Sequence, residues 1–194
     1  MLAKIINKLK YFYYKTKFKQ FGYGSSLRSP LNINCAQNIS IGKSTAIGYK
    51  AWLAAVPLTN STTAALIIGN HCSIGNFNHI YATQKIVMED GVLTADKVYI
   101  SDNMHGYEDV TTAIKLQPIV QKNEVVIGKG TWIGENVCIM GCSIGKQCVI
   151  GANAVVTKDI PDYSVAAGNP AKIIKRYCFD TKNWKKTNSD GTFI

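Results

Sequence analysis

A triangular coil of short parallel strands is the fold class this sequence predicts, and three observations predict it. Aliphatic residues recur every sixth position, a glycine directly follows eight of them, and small residues stand two positions before many of them. A period of six matches neither the 3.6-residue helix nor the two-residue alternation of a simple strand. A short strand plus a turn, repeated around a coil, reproduces it. Three hexads close one turn of a prism, and stacking the turns at about 4.8 Å lets backbone hydrogen bonds run between coils over one continuous core. The expectation is therefore an all-β chain, a parallel β-helix of hexapeptide repeats.

Taken in order, residues 1–24 form a basic amphipathic segment. On a helical wheel Leu2, Ile5, Ile6, Leu9, Phe12 and Tyr13 gather on one face, flanked by Lys4, Lys8, Lys15 and Lys19 on one side and Lys10 and Lys17 on the other. That is an interfacial pattern, and residues 1–20 suit either an anionic membrane surface or a cap on the open end of the coil. The alternation of lysine with apolar residues is not that of a signal peptide, and no apolar run approaches eighteen residues. The expected location is the cytoplasm, at most the inner face of its membrane.

Residues 25–176 carry the repeat. Ile41, Ile47 and Leu53 form one run, Ile68, Ile74, Ile80, Ile86, Val92 and Val98 a second, and Ile127, Ile133 and Ile139 open a third, which resumes after a five-residue step with Ile144, Ile150 and Val156. The glycines are Gly42, Gly48, Gly69, Gly75, Gly128, Gly134, Gly145 and Gly151, read as residues the turns require. Thr45, Ala51, Cys72, Thr131, Val137, Cys142 and Cys148, two before an aliphatic, should point inward with it. Between residues 100 and 126 the period fails, and SDNMHGYEDVTTAIKLQP reads as an extruded loop of the kind that carries function on a rigid scaffold. Residues 177–194 form a short tail.

Charge narrows the partners. The 22 Lys+Arg against 12 Asp+Glu give +10, and the first 88 residues contain no acid at all. Polyanions follow: phosphates, a membrane surface or nucleic acid. Nucleic acid is disfavoured because aromatics interleaved with basic residues on a sheet are scarce. The six cysteines include no C-x-x-C pair, and three of them are explained as small core residues, so reduced thiols and no metal are expected.

The hexads with [Ile/Val]-Gly-x-x-[small]-x resemble the left-handed β-helix acyltransferases over about residues 30–176, and handedness is taken from that resemblance. GNFN at 75–78, SDNMHGYEDV at 101–110, IGKGTWIGENVCI at 127–139 and VVTKDIPDYSVAAGNPAKIIKR at 155–176 are similar to the sugar O-acetyltransferases, the galactoside and maltose acetyltransferases and their polysaccharide-modifying relatives. Two departures stand out. A different basic segment replaces the usual helical N-terminal domain, and the IMGCSIG turn is one residue short.

The resemblance implies acetyl-CoA as acyl donor, a sugar hydroxyl of a cell-surface polysaccharide or its precursor as acceptor, with the basic helix motivating a lipid-linked precursor, and a homotrimer with sites between chains. It makes His105 the general base, a role that imidazole suits because its pKa lies near 7. Asn76 and Asn78 would contact the acceptor or else satisfy backbone turns and an inward Asn ladder, and Asp102 would orient His105 or the acceptor or else cap the loop. Trp132 would lie outside the coil beside the pantetheine arm, and the amide near Glu135 would hold the tetrahedral oxyanion. Ala152, Thr157, Lys158, Lys172 and Lys175 match positions that line the coenzyme site. Two other classes share the fold. A γ-type carbonic anhydrase-like metalloprotein needs three histidines, and this chain has three, but His71 and His79 are eight apart where relatives show a shorter pair. A non-catalytic polyanion-binding scaffold is supported by the charge alone.

Overall fold

The computed structural model describes the backbone of residues 2–194 and the side chains of residues 9–194. A helix, Leu2–Lys17, precedes a prism of three parallel sheets. The first face stacks Gln20–Phe21, Ile39–Ile41, Ala65–Ile68, Lys85–Met88 and Val125–Ile127, and single bridges at Ile144 and Ile160 extend it. The second face runs from Ser26–Leu27 through Ala46–Ile47, Ser73–Ile74, Leu93–Thr94, Trp132–Ile133 and Val149–Ile150 to Ser164–Ala167. The third stacks Asn32–Asn34, Trp52–Ala55, His79–Ala82, Tyr99–Ser101, Cys138–Met140 and Val155–Val156.

The inward positions are filled as the period predicts. Leu53, Ile80, Ile100, Ile139 and Val156 form one buried column in register across the third face. Each contributes about 1.5–3 kcal/mol by leaving water. The small residues two positions earlier are buried as well, from Thr45 and Cys72 to Thr131 and Cys148. Two of them also serve the backbone: the Thr45 hydroxyl donates to the Gly69 carbonyl at 2.7 Å and accepts from the Cys72 amide at 3.1 Å. Thr131 repeats this with Gly145 and Cys148.

Four details of the coil differ from the expectation. The first turn begins at residue 20, because Phe21, Leu27 and Ile33 are themselves six apart and pair with the next coil. A tally restricted to aliphatics passes over Phe21. The run from Ile68 to Val98 is not one register: Met88, twenty residues on, pairs with Ile68, while Ile86 pairs with Leu66. Ile86, Val92 and Val98 thus hold the inner position two before Met88, Thr94 and Ile100, and both sets are buried. The glycines after the aliphatics are not needed for an unusual backbone. The left-handed residue sits two places later and carries a side chain, as at Ser44, Lys50, His71 and Phe77. What forces Gly42 and Gly48 is closeness, since a Cβ on them would lie 2.5–2.6 Å from the Gly69 and Gly75 carbonyl carbons one coil on. Finally, the C-terminal residues are not a loose tail: Lys172–Cys178 turns back antiparallel on Ser164–Ala167, and Asn183–Lys186 pairs with it.

The helix reverses the wheel's arrangement relative to the body. Tyr11, Tyr14 and Phe18 pack toward Phe21 on the first coil, with Phe18 and Phe21 buried. Leu9, Phe12 and Tyr13, the described part of the predicted apolar face, are 65%, 53% and 58% exposed. Leu2, Lys4, Ile5, Ile6 and Lys8 of that pattern lie outside the described side chains. The helix is therefore a cap, and its amphipathic face points away from the prism.

Candidate active site

The extruded loop leaves the third face after Ser101 and rejoins the first face at Val125, so it emerges from the corner between them. Its stem is a two-stranded antiparallel ribbon, Asn103–His105 against Ile119–Gln121. Asp102 fixes the stem. Fully buried, its carboxylate accepts from the amides of Thr83, Gln84 and Lys85, each at 2.8 Å, and from the Asn103 amide group at 3.0 Å. Burial alone would raise its pKa, but these donors outweigh burial and hold the carboxyl below its usual value. The Gln121 amide donates to the Asp102 carbonyl at 2.7 Å and accepts from the hydroxyls of Thr83 and Thr59. Thr83 and Gln121 are structural residues that sequence reasoning missed, because they meet only once the loop folds onto the coil. At the loop tip the hydroxyls of Thr111 and Thr112 bring Asp109 down to about 2.

His105 projects from this rigid stem with its ring exposed, opposite Ile119. Asp102 does not orient it. That carboxylate is buried at the base of the loop, and its oxygens are taken by the corner of the coil below.

The corner between the second and third faces carries the other group of expected site residues. Its early coils are laced together: the Tyr49 amide donates to Asn76 Oδ1 at 2.8 Å, and the Asn76 amide donates to Asp96 Oδ1 at 2.7 Å. The ladder then stops. Among the described residues, the amides of Asp96, Glu135 and Ala152 at this corner have no acceptor. Next to Glu135 stands Trp132, 49% exposed on the outer side of the second face. It heads an outward row in direct register, Trp132, Val149, Val165 and Lys175, with Leu93 before it. At one strand spacing per step, Trp132 and Lys175 lie about 14 Å apart. Lys172 opens the same strand beside Ala167.

Other expected site residues fall elsewhere. Asn78 is fully buried inside the prism, where its amide donates to the Ala95 carbonyl at 2.9 Å and its oxygen accepts from the Thr94 hydroxyl at 3.0 Å. It fills the core and faces no acceptor. Asn76 has its oxygen on the Tyr49 amide and its NH₂ on Asp96, so its polar groups lace the corner. The paired spacing of Asn70 with Asp90 and Asn76 with Asp96, twenty residues each, was the available signal. Thr157 and Lys158 follow Val156 on the corner between the third and first faces, a full face away from Trp132. The three histidines are also dispersed: His71 at the first corner, His79 on the third face stacked on Trp52 at 4.2 Å, and His105 on the loop. Among the described residues no group of three His, Cys, Asp or Glu is placed to hold a metal ion.

Comparison with known proteins agrees with this architecture. The bacterial transferase hexapeptide pattern of six repeats matches residues 124–158, the segment that holds Trp132 and the open amides of Glu135 and Ala152. Over that segment the chain is similar to the hexapeptide-repeat transferases. It is 36% identical over 128 residues to WbbJ of Escherichia coli, named for O-acetyl transfer in lipopolysaccharide biosynthesis, covering 62% of this chain and 65% of that one. It is 45% identical over 112 residues to a Mycobacterium tuberculosis protein named an acetyltransferase, covering 57% and 37%. The chain thus spans between about a third and two thirds of the length of these relatives. A hexapeptide-repeat acetyltransferase of Vibrio cholerae, solved with acetyl-CoA, superposes with a TM-score of 0.64 at 22% identity over 87% of this chain and 76% of that one. A mutant of the Bacillus cereus N-acyltransferase AntD, solved with dTDP and coenzyme A, gives 0.71 at 18% identity over 86% and 88%. The fold is a left-handed parallel β-helix.

Proposed function

We propose that the chain is an acetyl-CoA-dependent O-acetyltransferase acting in the cytoplasm on a sugar hydroxyl of a cell-surface polysaccharide or its precursor. The observation that carries the reading is the pair of open amides at Glu135 and Ala152 beside the exposed indole of Trp132. Uncapped donors at a wall with an apolar platform suit a thioester carbonyl and its pantetheine arm. Lys175 on the same row, with Lys172 close by, offers cations to the coenzyme phosphates. The acceptor class leans on the E. coli relative's name.

In this mechanism His105 removes the proton of the sugar hydroxyl as its oxygen attacks the thioester carbonyl carbon. The Glu135 amide holds the resulting oxyanion. The C–S bond then breaks, the acetyl group remains on the sugar oxygen, and the coenzyme thiolate takes the proton back from the imidazolium. An acyl-cysteine route is disfavoured by the pKa of the thiols of Cys72, Cys138, Cys142 and Cys148, all pushed up by burial.

Within one chain the third face, about 15 Å wide, separates the corner bearing His105 from the corner bearing Glu135. A homotrimer resolves this by setting the loop of one chain against the open corner of the next. The exposed Tyr107, Ile114 and Leu116 on the loop are apolar enough to be covered in such a contact. The deciding experiment follows release of the coenzyme thiol from acetyl-CoA in the presence of de-O-acetylated bacterial polysaccharides and their lipid-linked precursors. Saccharide-dependent release with acetyl ester on the glycan is the expected result. Tight acetyl-CoA binding without transfer to any saccharide would return the chain to the scaffold class.

A further inference from the structure

A cavity of about 540 Å³ opens between the helix and the first coil, within the usual size range of small-molecule sites. Its walls are the rings of Tyr11, Tyr14, Phe21 and Tyr23, and its edge carries two cations, Lys10 and Arg28. Both are exposed, and no acidic residue occurs before Glu89 to neutralise them locally. The outer side of the same helix presents Leu9 and Tyr13, Phe12 stands half-exposed at the rim of the cavity, and Tyr23 is 79% exposed. Lys10, Lys15, Lys17 and Lys19 surround these apolar side chains.

An apolar cleft, a cationic edge and an outward amphipathic face all lie at one end of the prism, and each favours a different part of one molecule. We infer that this end seats an anionic membrane lipid, with one hydrocarbon chain between the helix and the coil and its phosphate on Lys10 and Arg28. The outward face of the helix lies in the headgroup layer. The aromatic walls bury the chain's methylenes, and each lysine near an anionic surface adds Coulombic attraction. The site lies at the first coil and is distinct from the row of Trp132, so acetyl-CoA binding does not depend on it.

The full chain is titrated calorimetrically with dioctanoyl phosphatidylglycerol below its micelle concentration, with dioctanoyl phosphatidylcholine, and with glycerol 3-phosphate. One phosphatidylglycerol per chain is expected to bind, phosphatidylcholine more weakly, and glycerol phosphate not at all. Ser26→Trp fills the cavity from an exposed position and Arg28→Glu removes the phosphate contact; each should weaken the lipid at least tenfold. Lys186→Glu, at the opposite end, should not. Thermal melting and acetyl-CoA affinity of the variants check that the prism and the coenzyme site are intact, which separates failure here from failure of the transferase reading. Should Ser26→Trp not fold, Arg28→Glu and Lys10→Glu carry the test. Equal binding of glycerol phosphate would leave a simple anion site and overturn the inference. So would lipid affinity indifferent to Ser26→Trp and Arg28→Glu, or light scattering in which Phe12→Glu dissociates an oligomer while no lipid binds, since the face then belongs to a second copy.

Discussion

The corner between the second and third faces is built twice, once for each half of the prism. Its left-handed residues, Lys50, Phe77, Lys97, Asn136 and Asn153, have φ between 55° and 60° throughout, so the backbone turns the same way at every coil. What changes is the residue before. At Tyr49 and Asn76 the amide is capped by a side chain one coil on, whereas at Glu135 and Ala152 it is left open. Glu135 and Ala152 are exposed, so their free amides face solvent, and the later corner forgoes the hydrogen bond, worth about 0.5–1.5 kcal/mol, that the earlier one makes. The same turn can therefore stiffen a coil or receive a ligand, and the choice lies in a carboxylate or amide side chain one coil further along, 27 residues on from Tyr49 and 20 from Asn76.

The largest expected effect tests whether the open half is the reacting half. His105→Ala should lower turnover at least about 100-fold while acetyl-CoA affinity changes little, because the imidazole acts on the acceptor hydroxyl and not on the coenzyme. Single-turnover kinetics with a titration of acetyl-CoA separate the two quantities. Near-normal turnover in this variant would remove the base and leave the open amides without a reaction to serve.

Next in size is the loop stem. Asp102→Ala strands three amides and should destabilise the chain by about 3 kcal/mol or more. Its titration has a definite sign: because the folded carboxyl is held below its ordinary value, its stabilisation is complete above about pH 4 and is lost as the pH falls through the lowered value. Thermal melts of the native chain between pH 2 and 6 should show this acid limb, and Asp102→Asn should flatten it. An unchanged limb would mean that the carboxylate is not what pins the loop.

Asn76→Ala sharpens the comparison directly. If the early corner is a ladder, the variant should lose about 1–2 kcal/mol of stability and keep its turnover per folded molecule. A fall in kcat/KM at unchanged melting temperature would restore Asn76 to the acceptor site and erase the distinction between the two halves.

How far these halves could be read from the chain depends on what each signal encodes. The sixfold aliphatics report the inner column, and that column is present at every coil from Leu53 to Val156. The loop and the exposure of Trp132 were legible for the same reason, as a break in the period and a large ring at an outward position. The two-residue slip at Ile86 was not, since aliphatics fill both inward positions of that strand and a period cannot tell them apart. The motifs alone leave Asn76, Asn78 and Asp102 open, because a polar residue looks alike whether it faces a ligand or a backbone amide. The structure separates them by burial and by partner. Thr157 and Lys158 shared a motif with Lys172 and Lys175 but not a face, because a hexad carries the chain around a corner.

The smallest effect concerns the platform itself. Trp132→Ala removes an exposed indole from the row leading to Lys175 without touching the core, since Ile133 beside it carries the inward contact. Stability should stay within about 0.5 kcal/mol, as for most surface substitutions. Acetyl-CoA affinity should fall about three- to tenfold, the loss of one aromatic contact worth about 1 kcal/mol. Leu93→Ala, one strand earlier on the same row and beside the corner of Asp96, bounds the site from the other side. If the coenzyme arm runs from Trp132 toward Lys175, Leu93→Ala leaves its affinity unchanged and Lys175→Ala lowers it. The opposite pattern in calorimetric titrations would place the arm toward the capped coils, where the ladder of Tyr49, Asn76 and Asp96 leaves only the Asp96 amide to receive it.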